Sequence, residues 1–175
     1  MNKHNFSPLF FFVVAIVILS VALRLLPTWP NFTPLAAMAL FAGTYVRRKD
    51  IAIGLPLLAM LLSDMIIGFH QTMLAVYGSL ALVVVIGFAL RQGVRPVKLI
   101  AASLGASVSF YMITNFAVWL SGMVGYPMSL QGLLQCYVAA VPFFRNAILG
   151  DLFYTTVFFG SYYLIAQRYP VFARR

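Results

Sequence analysis

The sequence predicts an all-α, polytopic membrane protein with six transmembrane helices and both termini in the cytoplasm. Three observations lead to this fold class. Hydrophobic residues make up 63% of the 175 positions, whereas a typical soluble domain is about half apolar. The apolar residues form runs that approach or exceed the length of a bilayer crossing, about 20 residues. The basic residues lie between those runs. We therefore expect one integral membrane domain over residues 1–175, with lipid as its solvent.

The predicted spans follow from these apolar runs and from the residues that interrupt them. The second run is shorter than a bilayer crossing, but Thr33 suits an N-cap and Pro34 suits the first helical turn. We expect Ser121 to Pro142 to form a long outer loop that holds a short helix over 130–139 and acts as a lid. The predicted spans cover residues 8–26, 34–46, 51–68, 72–90, 97–120 and 143–167.

Basic residues predict the orientation, because short cytoplasmic loops collect Lys and Arg. With six spans, three clusters follow even-numbered spans and join Lys3 on one side of the membrane. The net charge of +9 is thereby explained without nucleic acid, which requires a basic surface facing water. The clusters are Arg47, Arg48 and Lys49; Arg91, Arg95 and Lys98; and Arg168, Arg174 and Arg175.

Polar residues of the predicted spans collect near the end that is expected to face outward. Ionisable groups within a span are costly and mark functional sites by default. Packed helices would bring these groups to a similar depth, where they form a pocket for a small molecule. We expect carboxylate, amide and guanidinium groups to orient the ligand, and Tyr77 and Trp119 to stack on it. The candidate substrate-binding residues are Asp64, His70, Tyr77, Ser79, Asn115, Trp119, Arg145 and Asp151.

A structural interpretation competes with the binding pocket. Asp64 can pair with Arg145 or with Arg24 only to neutralise a buried charge. The chain would then be a structural or assembly subunit of a larger membrane complex, without a ligand of its own. We expect neither an enzyme nor a bound cofactor or metal, because the sequence offers no paired nucleophile and base, no phosphate loop and no metal-ligand cluster.

Local motifs in the first half of the chain carry a family resemblance. They are RLLPTWPNFTPLAAMALFAG (24–43), PLLAMLLSDMIIGFH (56–70) and YGSLAL (77–82). The second half agrees in its number of spans and in Asn115, Trp119 and Asp151. The chain resembles the substrate-binding S component of energy-coupling factor vitamin transporters, and small bacterial membrane proteins related to the cobalamin-transporting branch.

This resemblance implies capture of a vitamin or related metabolite outside the bacterial cytoplasmic (inner) membrane, followed by docking on an ATP-driven module. Cobalamin is one ligand that it allows. A thiolate ligates the cobalt in that branch, but Ser79 stands where we would look for it, which leaves Cys136 and His70 as alternatives. The first span also departs from the family, because Leu19 follows Ala15 where S components show small residues four positions apart.

Overall fold

The computed structural model describes residues 8–26 and 29–169, and within these residues the only regular elements are helices. The predicted all-α class is confirmed over this part of the chain. Lys3, Arg174 and Arg175, which entered the orientation argument, lie outside it. The helices are α1 (Pro8–Leu25), α2 (Leu35–Tyr45), α3 (Lys49–Ile67), α4 (Met73–Phe88, followed by a 3-10 turn at Ala89–Gln92), α5 (Pro96–Ser121) and α6 (Leu130–Arg168).

Five of these helices, all except α2, are long and apolar enough to cross a bilayer. They carry large apolar side chains on their outer faces, including the exposed Ile18, Ile66 and Leu164. Such a surface suits hydrocarbon and not water. The helices are therefore those of a multi-pass membrane protein, while six crossings and cytoplasmic termini stay predictions.

Helix α2 is short and is enclosed by other helices. Its 11 residues extend about 16 Å, roughly half of the hydrocarbon thickness. Ten of the 11 residues, Leu35 to Thr44, are buried, and α1, α3, α4, α5 and α6 all contact it. A helix that is apolar on every side lies either in a protein core or in lipid, and the burial of α2 places it in the core. The bilayer therefore has no need to thin around this short segment.

Two glycines set the close approach of α2 and α4. A Cβ atom at Gly43 would lie 2.2 Å from the carbonyl oxygen of Val84, and a Cβ at Gly87 would lie 2.6 Å from that of Leu40. Thr44 Oγ1 reaches across the same contact to the carbonyl oxygen of Gly87 at 3.3 Å. Small residues at this crossing allow backbone to pack directly on backbone.

Arg91 caps the end of α2. Its Nε donates to the carbonyl oxygen of Gly43 and its Nη2 to that of Val46, both at 2.7 Å. The last carbonyls of a helix have no partner within the helix. The guanidinium also lies 4.2 Å from the ring centroid of Phe88. A residue that the sequence assigned only to orientation therefore also fixes the central helix.

The predicted long outer loop and lid are wrong, whereas the helix expected over 130–139 is present as the start of a longer one. Helix α6 begins at Leu130 and continues through Pro142 for 39 residues, so only 122–129 connects it to α5. The Tyr111 hydroxyl donates to the Tyr137 carbonyl oxygen at 2.5 Å, and the Tyr137 hydroxyl donates to that of Met112 at 2.8 Å. These two hydrogen bonds tie the segment before Pro142 to α5.

Candidate functional site

A cavity of about 330 Å³ lies among the helices at the end of the bundle that holds the α1–α2 loop and the α3–α4 turn. Residues of α5 and α6 at helical spacing form much of its wall, since positions three and four apart share one face. On α5 they include Ser107, Tyr111 and Thr114, and on α6 they include Phe144, Ala147 and Asp151.

The α1–α2 loop closes one side of the cavity and is held there by α6. Asn146 Nδ2 donates to the Pro30 carbonyl oxygen at 3.1 Å. The ring of Phe32 packs against Tyr154, with centroids 5.5 Å apart. A Cβ atom at Gly150 would lie 3.1 Å from Phe32 Cα, so glycine permits this close approach. Asn31 and Thr33 of the loop reach the cavity.

Arg24 lines the cavity, and its charge is balanced by a carboxylate behind the wall. Its Nη2 lies 2.7 Å from Oδ1 of Asp64, which is fully buried, and its Nη1 donates to Ser63 Oγ. The Tyr77 hydroxyl donates to Asp64 Oδ2 at 2.9 Å. This network joins α1, α3 and α4. Of the two partners that the sequence allowed for Asp64, the structure selects Arg24.

Asp151 lies on the cavity wall and is 6% exposed. Its Oδ2 accepts a hydrogen bond of 2.6 Å from Ser107 Oγ. One turn away, Ser103 and Thr155 bring their hydroxyl oxygens to 3.5 Å. Sequence reasoning missed Ser107; its signal is the four-residue spacing from Ser103, which places both hydroxyls on one face of α5.

Two further predicted residues, Asn115 and His70, also line the cavity. Asn115 Nδ2 donates to the Tyr111 carbonyl oxygen at 2.8 Å, and His70 Nδ1 lies 3.1 Å from Thr72 Oγ1. Asn115 and Asp151 project from neighbouring helices, whereas His70 comes from the α3–α4 turn. These three are the predicted binding residues that the structure brings to the cavity.

The other five predicted residues do not line it. Asp64 and Tyr77 lie behind Arg24. Ser79 is buried and donates to the Ala75 carbonyl oxygen at 2.6 Å. Trp119 donates through Nε1 to the Pro127 carbonyl oxygen at 2.9 Å, beside the α5–α6 connection. Arg145 is exposed and forms no ion pair within the described residues.

Aromatic rings in the cavity wall come from residues that the sequence did not single out. Tyr111 and Phe144 stack with their ring centroids 4.3 Å apart, and Phe110 and Phe143 lie beside them in the wall. Tyr111 precedes Asn115 by one turn, so the two share one face of α5, and this spacing is the signal that sequence reasoning left unused. A small molecule in the cavity therefore meets these rings instead of Tyr77 and Trp119.

The two side chains that could coordinate a metal-containing ligand, His70 and Cys136, lie in different places. His70 lines the cavity, whereas the buried Cys136 thiol donates to the Asn115 carbonyl oxygen at 3.4 Å and is not part of the wall. Within residues 8–26 and 29–169, no three His, Cys, Asp or Glu side chains cluster as a metal site would require.

Helices and cavity together define a class: a multi-pass helical membrane protein with a small cavity between its helices that combines apolar walls with a few polar groups. A family model described as a family of unknown function, DUF6580, matches residues 4–172. The chain belongs to this family. No curated protein and no solved structure matches it.

Proposed function

We propose that the protein binds a small vitamin or related metabolite in this cavity and serves its uptake across the bacterial cytoplasmic membrane, in the manner of an S component. The cavity itself is the observation that carries the proposal. Its volume of about 330 Å³ falls within the usual range of small-molecule sites, which combine apolar walls with a few placed polar groups. A pterin or thiazole suits this volume better than a corrin.

The distribution of charge supports an outward-facing cavity. The cavity borders the α1–α2 loop and the α3–α4 turn, which alternate along the chain with the connections that hold the basic clusters at 47–49 and 91–98. Because basic loops stay in the cytoplasm, the cavity then faces the opposite side. A ligand enters from outside in this arrangement.

Active uptake would draw its energy from a partner or from a gradient, since the sequence contains no phosphate-binding loop with which to hydrolyse ATP itself. An ATP-driven membrane module of the energy-coupling type fits this need. The alternative function, a structural or assembly subunit, predicts that side chains fill the space between the helices. The open cavity therefore favours ligand binding over that alternative.

Mass spectrometry of small molecules retained through purification tests this function. Ala147 lies on the cavity wall, so the larger ring of Ala147→Trp should occupy the cavity. Leu164 is 65% exposed on the same helix, which makes Leu164→Trp a matched control on the lipid-facing surface.

We expect one small molecule to be enriched with the wild-type and Leu164→Trp proteins and depleted about tenfold or more from Ala147→Trp, because the ring removes its site. Equal retention by all three proteins, or no retained molecule in any of them, would refute the binding function. Stoichiometric copurification with a membrane complex that does not transport would favour the assembly subunit instead.

A further inference from the structure

The acidic residues of the chain differ in their partners. There are three, and two of them form ion pairs with arginines: Asp50 with Arg48 at 2.5 Å, and Asp64 with Arg24 at 2.7 Å. Asp151 has no such pair among residues 8–26 and 29–169. It is nevertheless more than nine-tenths buried, and a buried carboxylate is costly without a compensating positive charge.

The charges of the cavity wall leave Asp151 uncompensated. The wall holds one strongly basic side chain, Arg24, and one acidic side chain, Asp151. Asp64 already balances the charge of Arg24 from behind the wall. Asp151 receives one side-chain hydrogen bond, from Ser107 at 2.6 Å. A carboxylate has about four acceptor positions, so it retains capacity for a donor inside the cavity.

The aromatic rings in the same cavity wall also bear on the kind of ligand that suits it. Tyr111 lies one turn beyond Ser107 on α5, and Phe144 lies about two turns before Asp151 on α6; both rings line the cavity. Aromatic faces attract cations and also pack against apolar groups. A cavity wall that holds both a carboxylate and stacked rings is therefore suited to a cation that carries an apolar body.

We propose that Asp151 is a subsite for a positively charged group, and that the ligand of the cavity is a small organic cation such as a protonated amine or an N-alkylated heterocycle. The carboxylate pairs with the positive charge, while the Tyr111 and Phe144 rings contact the apolar part. This inference rests on the proposed function, because it requires the cavity to bind a small molecule.

Binding measurements on the purified full chain test this subsite with isosteres that differ in charge. The probes are choline with its neutral isostere 3,3-dimethylbutan-1-ol, and phenethylammonium with 2-phenylethanol and phenylacetate. Titration calorimetry in one detergent compares the wild type with Asp151→Asn. Asp50→Asn is the matched control, because it removes the same charge from an exposed ion pair outside the cavity.

We expect the wild type and Asp50→Asn to prefer each cation over its neutral isostere by about tenfold, and the ratio to fall to about one in Asp151→Asn. An unchanged ratio in Asp151→Asn, or a wild type that prefers the neutral or anionic probe, overturns the subsite but leaves the cavity function in place. Failure of all probes to bind the wild type overturns the cation subsite, whereas the molecules retained through purification decide the cavity function independently.

A second measurement on the wild type removes the dependence on a folded variant. A hydrophobic carbodiimide modifies carboxyl groups in apolar surroundings, and peptide mass spectrometry locates the adduct. We expect choline to protect Asp151 from modification and 3,3-dimethylbutan-1-ol to leave it reactive. Equal modification of Asp151 with both probes contradicts the proposal.

Discussion

Asp64 shows how one intramembrane carboxylate can hold three helices together. It is fully buried, and its two oxygens face Arg24 of α1 and Tyr77 of α4. Removing one member of a buried ion pair leaves the other charge uncompensated, at a cost of about 3–5 kcal/mol. Replacing both members by apolar residues avoids that cost.

A variant series tests this role. The series is made in a Tyr77→Phe background, because the Tyr77 hydroxyl would otherwise lose its acceptor when Asp64 is replaced. In this background we expect Asp64→Leu to lower the free energy of unfolding by about 3 kcal/mol. Adding Arg24→Met should recover most of that loss. Equilibrium unfolding in mild detergent measures both effects. If adding Arg24→Met gives no gain in stability over Asp64→Leu, the Arg24–Asp64 ion pair does not govern stability.

Arg91 caps α2 and also belongs to a basic cluster that predicts orientation, and a pair of variants distinguishes these two roles. We expect Arg91→Gln to destabilise the protein by about 1.5–3 kcal/mol, because the carbonyls of Gly43 and Val46 lose a charged donor. Arg95 is exposed and supplies the control: Arg95→Gln should unfold like the wild type. Equal stability of the two variants would argue that Arg91 serves orientation alone.

At the scale of the element, the α2–α4 contact depends on the absence of side chains. We expect Gly43→Ala to destabilise the protein by about 1–3 kcal/mol, since a methyl group there meets backbone that cannot move aside. A Cβ atom at Gly160 has nothing within 4 Å, so Gly160→Ala should be neutral or slightly stabilising. Thermal unfolding in detergent compares them, and a tolerated Gly43→Ala would contradict the close contact.

Hydropathy and helix breakers place most elements within a few residues of their observed ends, as α1, α3 and α5 show. They fail at 130–142, where Gly132 and Pro142 suggest a loop with only a short helix, separate from the last span, and one continuous helix forms instead. The structure accommodates both: Gly132 donates its backbone N–H to the Ser129 side chain, and Tyr111 and Tyr137 tie the segment to α5. Sequence periodicity contains no information on such contacts between helices.

The cavity was predictable from the same sequence only in part. Asn115 and Asp151 stand out because amide and carboxylate groups are rare in spans. Ser107 and Tyr111 do not stand out, because hydroxyl-bearing residues commonly pack between membrane helices. The choice of Arg24 over Arg145 for Asp64 depends on how α1 and α6 are arranged in space, which spacing along the chain does not encode.

For the whole molecule, the proposed uptake requires the cavity and the basic clusters to lie on opposite sides of the membrane. Single cysteines in a Cys136→Ala background test this, at the exposed positions Gln71 in the α3–α4 turn and Gln92 after α4. We expect an impermeant maleimide to label Gln71→Cys in intact cells and Gln92→Cys only after lysis.

Each other labelling pattern has a defined consequence. Labelling of both cysteines from one side would mean that α4 does not cross the bilayer. Labelling of Gln92→Cys in intact cells and of Gln71→Cys only after lysis would make the cavity face the cytoplasm and contradict uptake from outside.

The enclosure of α2 also has a consequence for how the protein enters a membrane. Segments are integrated during synthesis according to their own apolar length, and α2 extends only about 16 Å. The last backbone carbonyls of α2 would lack hydrogen-bond donors in lipid. In the finished bundle Arg91 donates to them, and the neighbouring helices cover α2. Its final place depends on a partner, Arg91, almost fifty residues further along the chain, so we expect integration of α2 to be complete only after α4 has been made.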